Sequence, residues 1–290
     1  KVYLLLLVGL ILLYFGIAVF SFFKQERRIK FISRVPFRFA CGLVLAVWDI
    51  VGTKYLKLPQ PYFPGPQKIL EPFISEPKFV LENTLYSLRL FAIGFVVGVI
   101  FGVTTGILIG WFPKVYYWVY PVLKITGVIP AVAWMPFAMT AVPLFLPPFM
   151  QSTKLFWSAV FLIIICAWFP VASQTAMGIQ STPKSHFEVA RTLGAKTHHL
   201  VFRIAIPNAM PQIFTGISTA NAFAFTTLVM AEMMGQPGGL GYYINWAKTW
   251  SAYYKVFCSI LIMAIVFSLI MWVISLIQGR ILRWRKGLVK

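Results

Sequence analysis

The stretch SHFEVARTLGAKTHHLVFRIAIPNAMP, residues 185–211, is a polar insert between two long apolar runs, and the rest of the chain is interpreted from it. Ser185 followed by Glu188 three residues later is a capping-box pattern, which predicts a helix that begins at Ser185. Gly194 is placed to end this helix, because glycine readily takes the left-handed conformation that follows a helix. The insert therefore begins with a short helix and a glycine turn.

A second short helix is predicted after the turn. Thr197 is placed to cap a helix over 198–206, and Pro207 marks the start of the next apolar run. The insert is too polar to cross a membrane and too regular for a loose linker. Its residues leave two interpretations open, a helix that docks in a groove of a soluble partner and an amphipathic helix that lies on lipid headgroups.

The composition indicates an all-α polytopic membrane protein. Of the 290 residues, 59% are hydrophobic and 11% are charged, whereas roughly a quarter of an average soluble domain is charged. These proportions exclude a disordered chain and an ordinary soluble enzyme. The 26 Lys and Arg against 7 Asp and Glu give a net charge of +19, which nucleic-acid binding would also explain. Because the basic residues lie between apolar runs, basic cytoplasmic loops explain them better, and no nucleic-acid partner is expected.

About seven apolar runs are long enough to cross a bilayer, which takes about 20 helical residues. The predicted spans are 2–23, 38–57, 84–112, 118–146, 156–177, 207–234 and 256–280. The first is uncharged and no small-residue cleavage site follows it, so we expect a retained span. The fourth is interrupted by three prolines, so a discontinuous helix or a re-entrant segment is expected there.

These spans divide the chain into four predicted parts. They are an N-terminal pair of spans (1–57), a proline-rich connection expected to be irregular (58–83), a core of five spans (84–280) with the insert as a loop over 183–206, and a basic tail (281–290).

Lys and Arg in the loops predict the orientation. They concentrate in 24–38, 178–206 and 280–290, and with seven spans these segments fall on one side of the membrane. The positive-inside rule assigns this side to the cytoplasm, with the N-terminus outside and the C-terminus inside. The proline-rich connection is then extracytoplasmic.

The insert resembles the EAA loop of the permeases of ATP-binding-cassette (ABC) importers, whose pattern is E-A-A-x3-G-x9-I-x-L-P. The chain keeps this spacing at Glu188-Val189-Ala190, Gly194 and Ile204-Ala205-Ile206-Pro207. It departs from the pattern at Val189 and Ile206, both conservative in size and polarity. The resemblance implies a coupling helix that docks on an ATP-hydrolysing subunit, with Glu188 and Gly194 as its key positions.

Three more segments resemble the nitrate, sulfonate, taurine and bicarbonate branch of these permeases. They are LPQPYFPGPQKIL from Leu58, IPAVAWMP from Ile129, and VMAEMMG from Val229 followed by GLGY from Gly239. They are similar, in order, to that branch's LPxPxxVL lead-in, its IPxxAxxP segment and its VVAEMxG…GLGY run.

The resemblance implies the membrane subunit of a type I ABC importer in the inner membrane of a prokaryote. Two copies, or one copy and a related permease, would enclose the path, and a binding protein outside the cell would deliver the solute. Two ATP-binding subunits would hold ATP and Mg²⁺, since this chain has no P-loop motif and is expected to have no cofactor or enzyme activity of its own. A small oxyanion is the implied solute (a sulfonate, taurine, nitrate or bicarbonate), and a pyrimidine, riboflavin-like or aromatic solute is the alternative.

Seven positions in two spans are candidates for the translocation path or a gate: Pro130, Trp134, Met135, Asn221, Thr226, Thr227 and Glu232. Proline-broken helices and polar side chains can line a path, and they can equally serve helix packing. Glu232 is expected to hold either an outer gate or the glycine turn that follows it.

A secondary transporter or channel without an ATPase partner is the alternative from another class. It requires charged groups along the path, and of the carboxylates only Asp49 lies clearly within a predicted span, which argues against proton-coupled chemistry. No catalytic residue is expected, and neither is a metal site, because the Cys and His residues form no ligand-spaced cluster.

Overall fold

The computed structural model describes residues 29, 32–33, 35–54 and 61–284, and in this part of the chain it contains helices and no strand. The predicted first span, 2–23, and the end of the predicted tail, 285–290, lie outside the described residues. The α-helices are Val35–Asp49 (α1), Pro66–Ile69 (α2), Pro72–Ser75 (α3), Pro77–Trp111 (α4), Pro113–Val128 (α5), Met135–Phe145 (α6), Lys154–Gln180 (α7), Lys184–Thr192 (α8), Thr197–Leu200 (α9), Ile206–Met233 (α10), Leu240–Thr249 (α11) and Tyr253–Ile281 (α12). Short π-helical segments follow at Ile50–Lys54 and Val201–Ala205, and 3-10 helices at Ala131–Trp134 and Pro148–Thr153.

Five helical segments of the described chain are long and apolar enough to cross a membrane: Val35–Gly52, Pro77–Trp111, Pro148–Gln180, Thr197–Met233 and Tyr253–Ile281. A sixth candidate is the pair Pro113–Val128 and Ala131–Phe145, which is bent by 106°. These six positions correspond to the six spans predicted between residues 38 and 280. The all-α polytopic fold is therefore confirmed.

Prolines begin three helices within the connection that was predicted to be irregular. Pro66, Pro72 and Pro77 stand at the first positions of α2, α3 and α4. The fixed φ of proline suits the first helical turn, where its missing N–H costs no hydrogen bond. The prediction of irregular backbone is wrong for these segments, and α4 begins seven residues before the predicted span at 84.

The chain forms two compact units. Unit 1 comprises the described residues of Lys1–Val80 together with Trp246–Ile260. Unit 2 comprises Leu81–Asn245 and the described residues of Leu261–Lys290. All candidate sites discussed below lie in unit 2.

A buried lysine organises part of unit 1. Lys255 Nζ lies 2.5 Å from Glu76 Oε1 and 4.9 Å from the centre of the Trp246 ring. An ion pair and a cation–π contact together compensate a buried ammonium group for its lost water. The pair links the residue before α4 to the first turn of α12.

Glycines let α4 approach α7 closely in unit 2. Five of them recur every fourth residue, at Gly94, Gly98, Gly102, Gly106 and Gly110. A Cβ added to any of them would lie 2.6–2.9 Å from a side-chain atom of α7, which is closer than carbon atoms approach. Small residues are used in this way in membranes, where close van der Waals packing drives helix association.

The same contacts show that α4 and α7 run parallel, because Gly94 faces Ile163 and Gly110 faces Ile179. Parallel neighbours need a connection that returns to the opposite end. The bent pair of helices between α4 and α7 must therefore cross the membrane once. It is a broken span and not a re-entrant loop.

The next helix of the bundle, α10, runs antiparallel to α7. Gly178 of α7 faces Ala209, and Gly216 of α10 faces Gln174. The polar insert that joins α7 to α10 thus lies at the same end of unit 2 as the last turn of α4.

The break in the fourth span occurs at a proline. Ile129 leaves the helical conformation (ψ 122°), as expected for a residue that precedes proline, and Pro130 then caps the 3-10 helix Ala131–Trp134. Pro136 causes no further break because it lies in the first turn of α6.

Candidate functional site

The insert helix, α8 (Lys184–Thr192), ends in the glycine turn that the sequence predicts. Gly194 has φ +78°, in the left-handed region. The Gly194 N–H donates to the Arg191 carbonyl at 2.9 Å, and the Ala195 N–H donates to the Ala190 carbonyl at 2.9 Å. These two bonds form a Schellman motif, which satisfies carbonyls that the last helical turn leaves free.

The start of the insert helix differs from the prediction. The helix begins at Lys184 after an extended Pro183, and no side chain caps it. The His186 N–H donates to the Pro183 carbonyl at 3.1 Å. The predicted capping box of Ser185 and Glu188 is wrong, because Ser185 already lies within the first helical turn.

The second half of the insert is a continuous helix rather than a separate one. Thr197 is the first residue of α9, so its predicted role as the cap is wrong. A π-helical segment, Val201–Ala205, joins α9 to α10, and the whole segment Thr197–Met233 is helical over 37 residues. The ring of Pro207 would clash with the carbonyl of Arg203 in a regular α-helix. The π-helical segment, whose turns are wider than those of an α-helix, lies at that point.

An aromatic pair and a side-chain hydrogen bond hold the insert helix against the bundle. The Phe187 ring meets the Trp111 ring edge-on, with 5.7 Å between centroids. Asn208 Nδ2 donates to Thr182 Oγ1 at 3.1 Å, just before the insert helix. Beneath Phe187 lies a small apolar cluster of Ile179, Ala205, Ala209 and Ile213.

The outer face of the insert helix is exposed and partly apolar. Val189 is 60% exposed and Leu193 is 82% exposed. With Ser185 they follow an i, i+4 spacing and so share one face of the helix. Glu188 is exposed as well.

This face borders a groove of about 510 Å³, lined by Ser185, His186, Val189, Ala190, Leu193, Arg203, Ile204, Asn208 and Trp284. Among the residues of the EAA-like pattern, the structure brings Val189, Ala190 and Ile204 to the groove. Glu188, Gly194 and Pro207 do not line it.

A second cavity, of about 290 Å³, opens at the break of the fourth span. Its lining residues are Thr126, Gly127, Val128, Ile129, Pro130, Ala131, Val132, Trp134, Ile165, Cys166, Phe169, Phe223, Thr226, Thr227 and Met230. We call it the break cavity. A Cβ on Gly127 would lie 2.2 Å from the Phe169 ring, so only glycine allows this wall to close.

Four of the seven candidate path residues meet in the break cavity: Pro130, Trp134, Thr226 and Thr227. The other three, Met135, Asn221 and Glu232, are buried and do not line it. Within the described residues, the amide of Asn221 and the indole N–H of Trp134 are buried without a hydrogen-bond partner. The sequence made all seven candidates because it shows where prolines break a span and where polar residues occur. It does not show which way the side chains face.

Glu232 contacts the glycine turn at the opposite end of unit 2 from the insert helix. The Ser87 hydroxyl donates to Glu232 Oε1 at 2.6 Å, and the Gly241 N–H donates to Oε2 at 2.8 Å. Gly239 has φ +113°, and a Cβ there would lie 2.4 Å from the Glu232 carboxyl carbon. The carboxylate thus fills the place that a side chain at residue 239 would need.

Side chains around Glu232 accept hydrogen bonds from backbone N–H groups at the start of α11. The Gly239 N–H donates to Asn83 Oδ1 at 2.9 Å, and the Leu240 N–H donates to Ser87 Oγ at 2.8 Å. With the bond from Gly241 to Glu232, three successive N–H groups at a helix N-terminus find side-chain acceptors. A carboxylate at this end is also favoured by the helix dipole.

The network extends to α7 through a second pair. The Tyr86 hydroxyl donates to Gln236 Oε1 at 2.9 Å, and Gln236 Nε2 donates to the Leu155 carbonyl at 2.6 Å. Sequence reasoning missed Asn83, Ser87 and Gln236. The i, i+4 spacing of the first two placed both on one face of α4, but it did not show that this face meets Glu232.

Comparison with known proteins identifies the family. The family model for the inner membrane component of binding-protein-dependent transport systems matches residues 98–287. A putative aliphatic sulfonates transport permease of Bacillus subtilis is 31% identical over 251 residues, which cover 85% of this chain and 86% of that protein. A nitrate import permease of Synechococcus elongatus is 29% identical over 76% of each chain. A taurine transport system permease of Escherichia coli is 27% identical over 84% of this chain and 87% of that protein.

Two solved structures share the fold. An inward-facing methionine ABC transporter aligns with a TM-score of 0.57 at 19% identity, over 73% of this chain and 98% of the transporter chain. An amino acid ABC transporter aligns with a TM-score of 0.52 at 15% identity, over 74% and 97% of the two chains. The chain therefore belongs to the family of binding-protein-dependent transport system inner membrane components and is a permease subunit of an ABC importer.

Proposed function

We propose that this chain imports a small oxyanion and that its insert helix docks on an ATP-binding subunit. The exposed face of the insert helix carries the proposal. Val189 and Leu193 present exposed apolar surface, which suits a helix that packs into the groove of a partner. Glu188 and Gly194, which the family pattern marks, lie on the same short helix and its turn.

A single short turn connects this helix to the helical segment that lines the break cavity. The continuous segment Thr197–Met233 begins beside the insert helix and carries Thr226 and Thr227 of the break cavity and, near its end, Glu232. A rigid helix transmits displacement along its length. Movement of a docked ATPase would thus reach the cavity through the Gly194 turn and this one helical segment.

The proposed complex follows the family. Two ATP-binding subunits bind ATP and Mg²⁺, because the sequence of this chain has no P-loop motif. A second copy, or a related permease, completes the path, and an extracytoplasmic binding protein delivers the solute. The complex lies in the inner membrane of a prokaryote, with the insert in the cytoplasm.

The relatives support an oxyanion as the solute. Their names assign them to aliphatic sulfonates, nitrate, bicarbonate and taurine, all of which are small and carry anionic oxygen atoms. We extend this solute class to the present chain.

Purification of the complex from native membranes, with each co-purifying subunit counted, tests the docking proposal. Replacing Leu193 by Asp places a charge on the apolar face and should weaken ATPase binding by about thirtyfold, the effect of about 2 kcal/mol at a docking hot spot. Leu193→Met is the control, because it keeps the apolar surface and should retain the ATPase. A chain that purifies alone and still transports solute in liposomes would instead be a secondary transporter.

A further inference from the structure

The break cavity has uncharged walls. None of its fifteen lining residues is Asp, Glu, Lys, Arg or His. Most of the wall consists of aliphatic and aromatic side chains, among them Val128, Ile165, Phe169, Phe223 and Met230. An oxyanion that left water for this cavity would find no cation to replace its hydration.

The hydroxyl groups of the cavity offer it few donors. Thr126 Oγ1 donates to the Leu123 carbonyl at 2.7 Å. Thr226 and Thr227 donate in the same way to the carbonyls four residues earlier, at 3.0 and 2.8 Å. The hydroxyl hydrogens are thus used within their own helices, and the oxygens that remain are acceptors, which repel an anion. The indole N–H of Trp134 is a further donor, buried without a partner, but one neutral donor does not replace the hydration of an anion.

The charge and hydrogen-bond pattern of the cavity suits the carbon part of a solute. We propose that the break cavity receives the apolar group of an organic oxyanion during transport, so that this permease itself favours alkane- and arenesulfonates over inorganic anions. The charged group remains outside the cavity, in water. This inference rests on the proposed function and adds a selective site within the membrane subunit.

The size of the cavity agrees with a small organic group. Its volume of about 290 Å³ is just below the range of about 300–1,000 Å³ found for small-molecule sites, as suits a small group. Transfer of one methylene group from water to an apolar site is worth about a fourfold change in affinity. Affinity should therefore rise by up to about fourfold with each carbon added to an alkanesulfonate, until the chain fills the cavity.

Alkylation of Cys166 reports occupancy directly, because this thiol lines the cavity. The assembled importer in membrane vesicles would be treated with N-ethylmaleimide, and modification of Cys166 would be followed by peptide mass spectrometry. The added solutes would be nitrate and the n-alkanesulfonates from methane- to octanesulfonate. A second reporter, Thr226→Cys, would be read in the same way from the exposed side of the cavity.

We expect alkanesulfonates to slow labelling at both positions with increasing chain length, and nitrate to leave it unchanged. Equal protection by nitrate, or labelling that no sulfonate slows, would overturn the inference. Stronger protection by palmitate than by octanesulfonate would show a lipid acyl-chain site instead and would overturn it as well.

A transport measurement separates this inference from the proposed function. Thr226→Trp fills the cavity and should lower uptake of hexanesulfonate at least about tenfold more than uptake of methanesulfonate, by the same methylene arithmetic. Thr219→Trp is the matched control, because Thr219 is an exposed threonine on the same face of α10 whose hydroxyl also bonds its own helix. Equal loss of both solutes would refute the cavity's role and leave the importer intact. A wild-type complex without ATP-dependent uptake would refute the proposed function itself.

Discussion

Two glycine turns at opposite ends of unit 2 have the same kind of backbone and very different surroundings. Gly194 after the insert helix and Gly239 before α11 both have positive φ, at +78° and +113°. A Cβ on Gly194 would meet nothing within 4 Å, whereas a Cβ on Gly239 would meet the Glu232 carboxyl group at 2.4 Å. The first turn is held by its own backbone, and the second by side chains from distant parts of the chain.

This difference indicates different functions for the two ends of unit 2. The Glu232 end is buried and its polar groups are paired, so it suits a fixed frame for the helices. The insert end presents exposed apolar side chains on a short helix, so it suits binding and release of a partner. Substitutions at the Glu232 end should accordingly lower the stability of the fold, and substitutions at the insert end should weaken assembly with the partner.

The largest loss of stability is expected for Gly239→Ala. The change combines a strained backbone with a clash against the Glu232 carboxylate, which together should cost about 4 kcal/mol. The thermal unfolding midpoint of the detergent-purified complex measures it. A midpoint equal to that of the wild type would show that the turn and the carboxylate are not as close as the structure has them.

Glu232→Ala should have the second-largest effect and lower the free energy of unfolding by about 2–3 kcal/mol. It leaves the Gly241 N–H and the Ser87 hydroxyl without their acceptor in a buried place. Glu232→Gln should lose less, because its amide oxygen keeps one of the two bonds. If Gln is as damaging as Ala in the same unfolding measurement, the charge matters rather than the hydrogen bonds.

Ser87→Ala should lower the free energy of unfolding by about 1–2 kcal/mol, because it removes both hydrogen bonds of the Ser87 hydroxyl, to Glu232 and from the Leu240 N–H. Ser268→Ala is the control, since the hydroxyl of the exposed Ser268 donates to the Ala264 carbonyl of its own helix. The two variants would be compared by thermal unfolding. Indistinguishable midpoints would contradict a structural role for the network.

Gly194→Ala should have the smallest effect on stability, about 1 kcal/mol, because only the backbone conformation is strained. Its effect on assembly should be larger than its effect on unfolding, since it loosens the end of the insert helix. Gly279→Ala is the matched control, because a Cβ there also meets nothing within 4 Å but φ is not positive. The two variants are compared by the amount of ATPase subunit retained on purification. Equal retention would falsify a role of this turn in docking.

Local patterns in the sequence predicted one of these turns and not the other. The Gly194 turn follows from a short amphipathic helix and a glycine, since its hydrogen bonds join residues no more than five positions apart. Glu232 and Ser87 are 145 residues apart, and Asn83 and Gly239 are 156 apart. A periodicity rule cannot detect such pairs, because only helix packing brings them together.

The errors at the insert have a local cause. Pro183 and Pro207 each change where a helix begins or how it continues, and the capping rules that favoured Ser185 and Thr197 do not account for such neighbours. The glycines from Gly94 to Gly110 recur every fourth residue in the sequence, a spacing that is typical of close helix packing in membranes. It does not identify α7 as the partner.

The sequence by itself determined the membrane fold, the six spans within the described chain, the glycine turn of the insert and the family, because each depends on composition or on residues close together in the chain. The tertiary structure decided that the broken fourth span crosses the membrane once, that four of the seven candidate path residues share one cavity, and that Glu232 holds α11. These depend on which helix faces pack together, and that choice is set by steric fit between segments far apart in the chain.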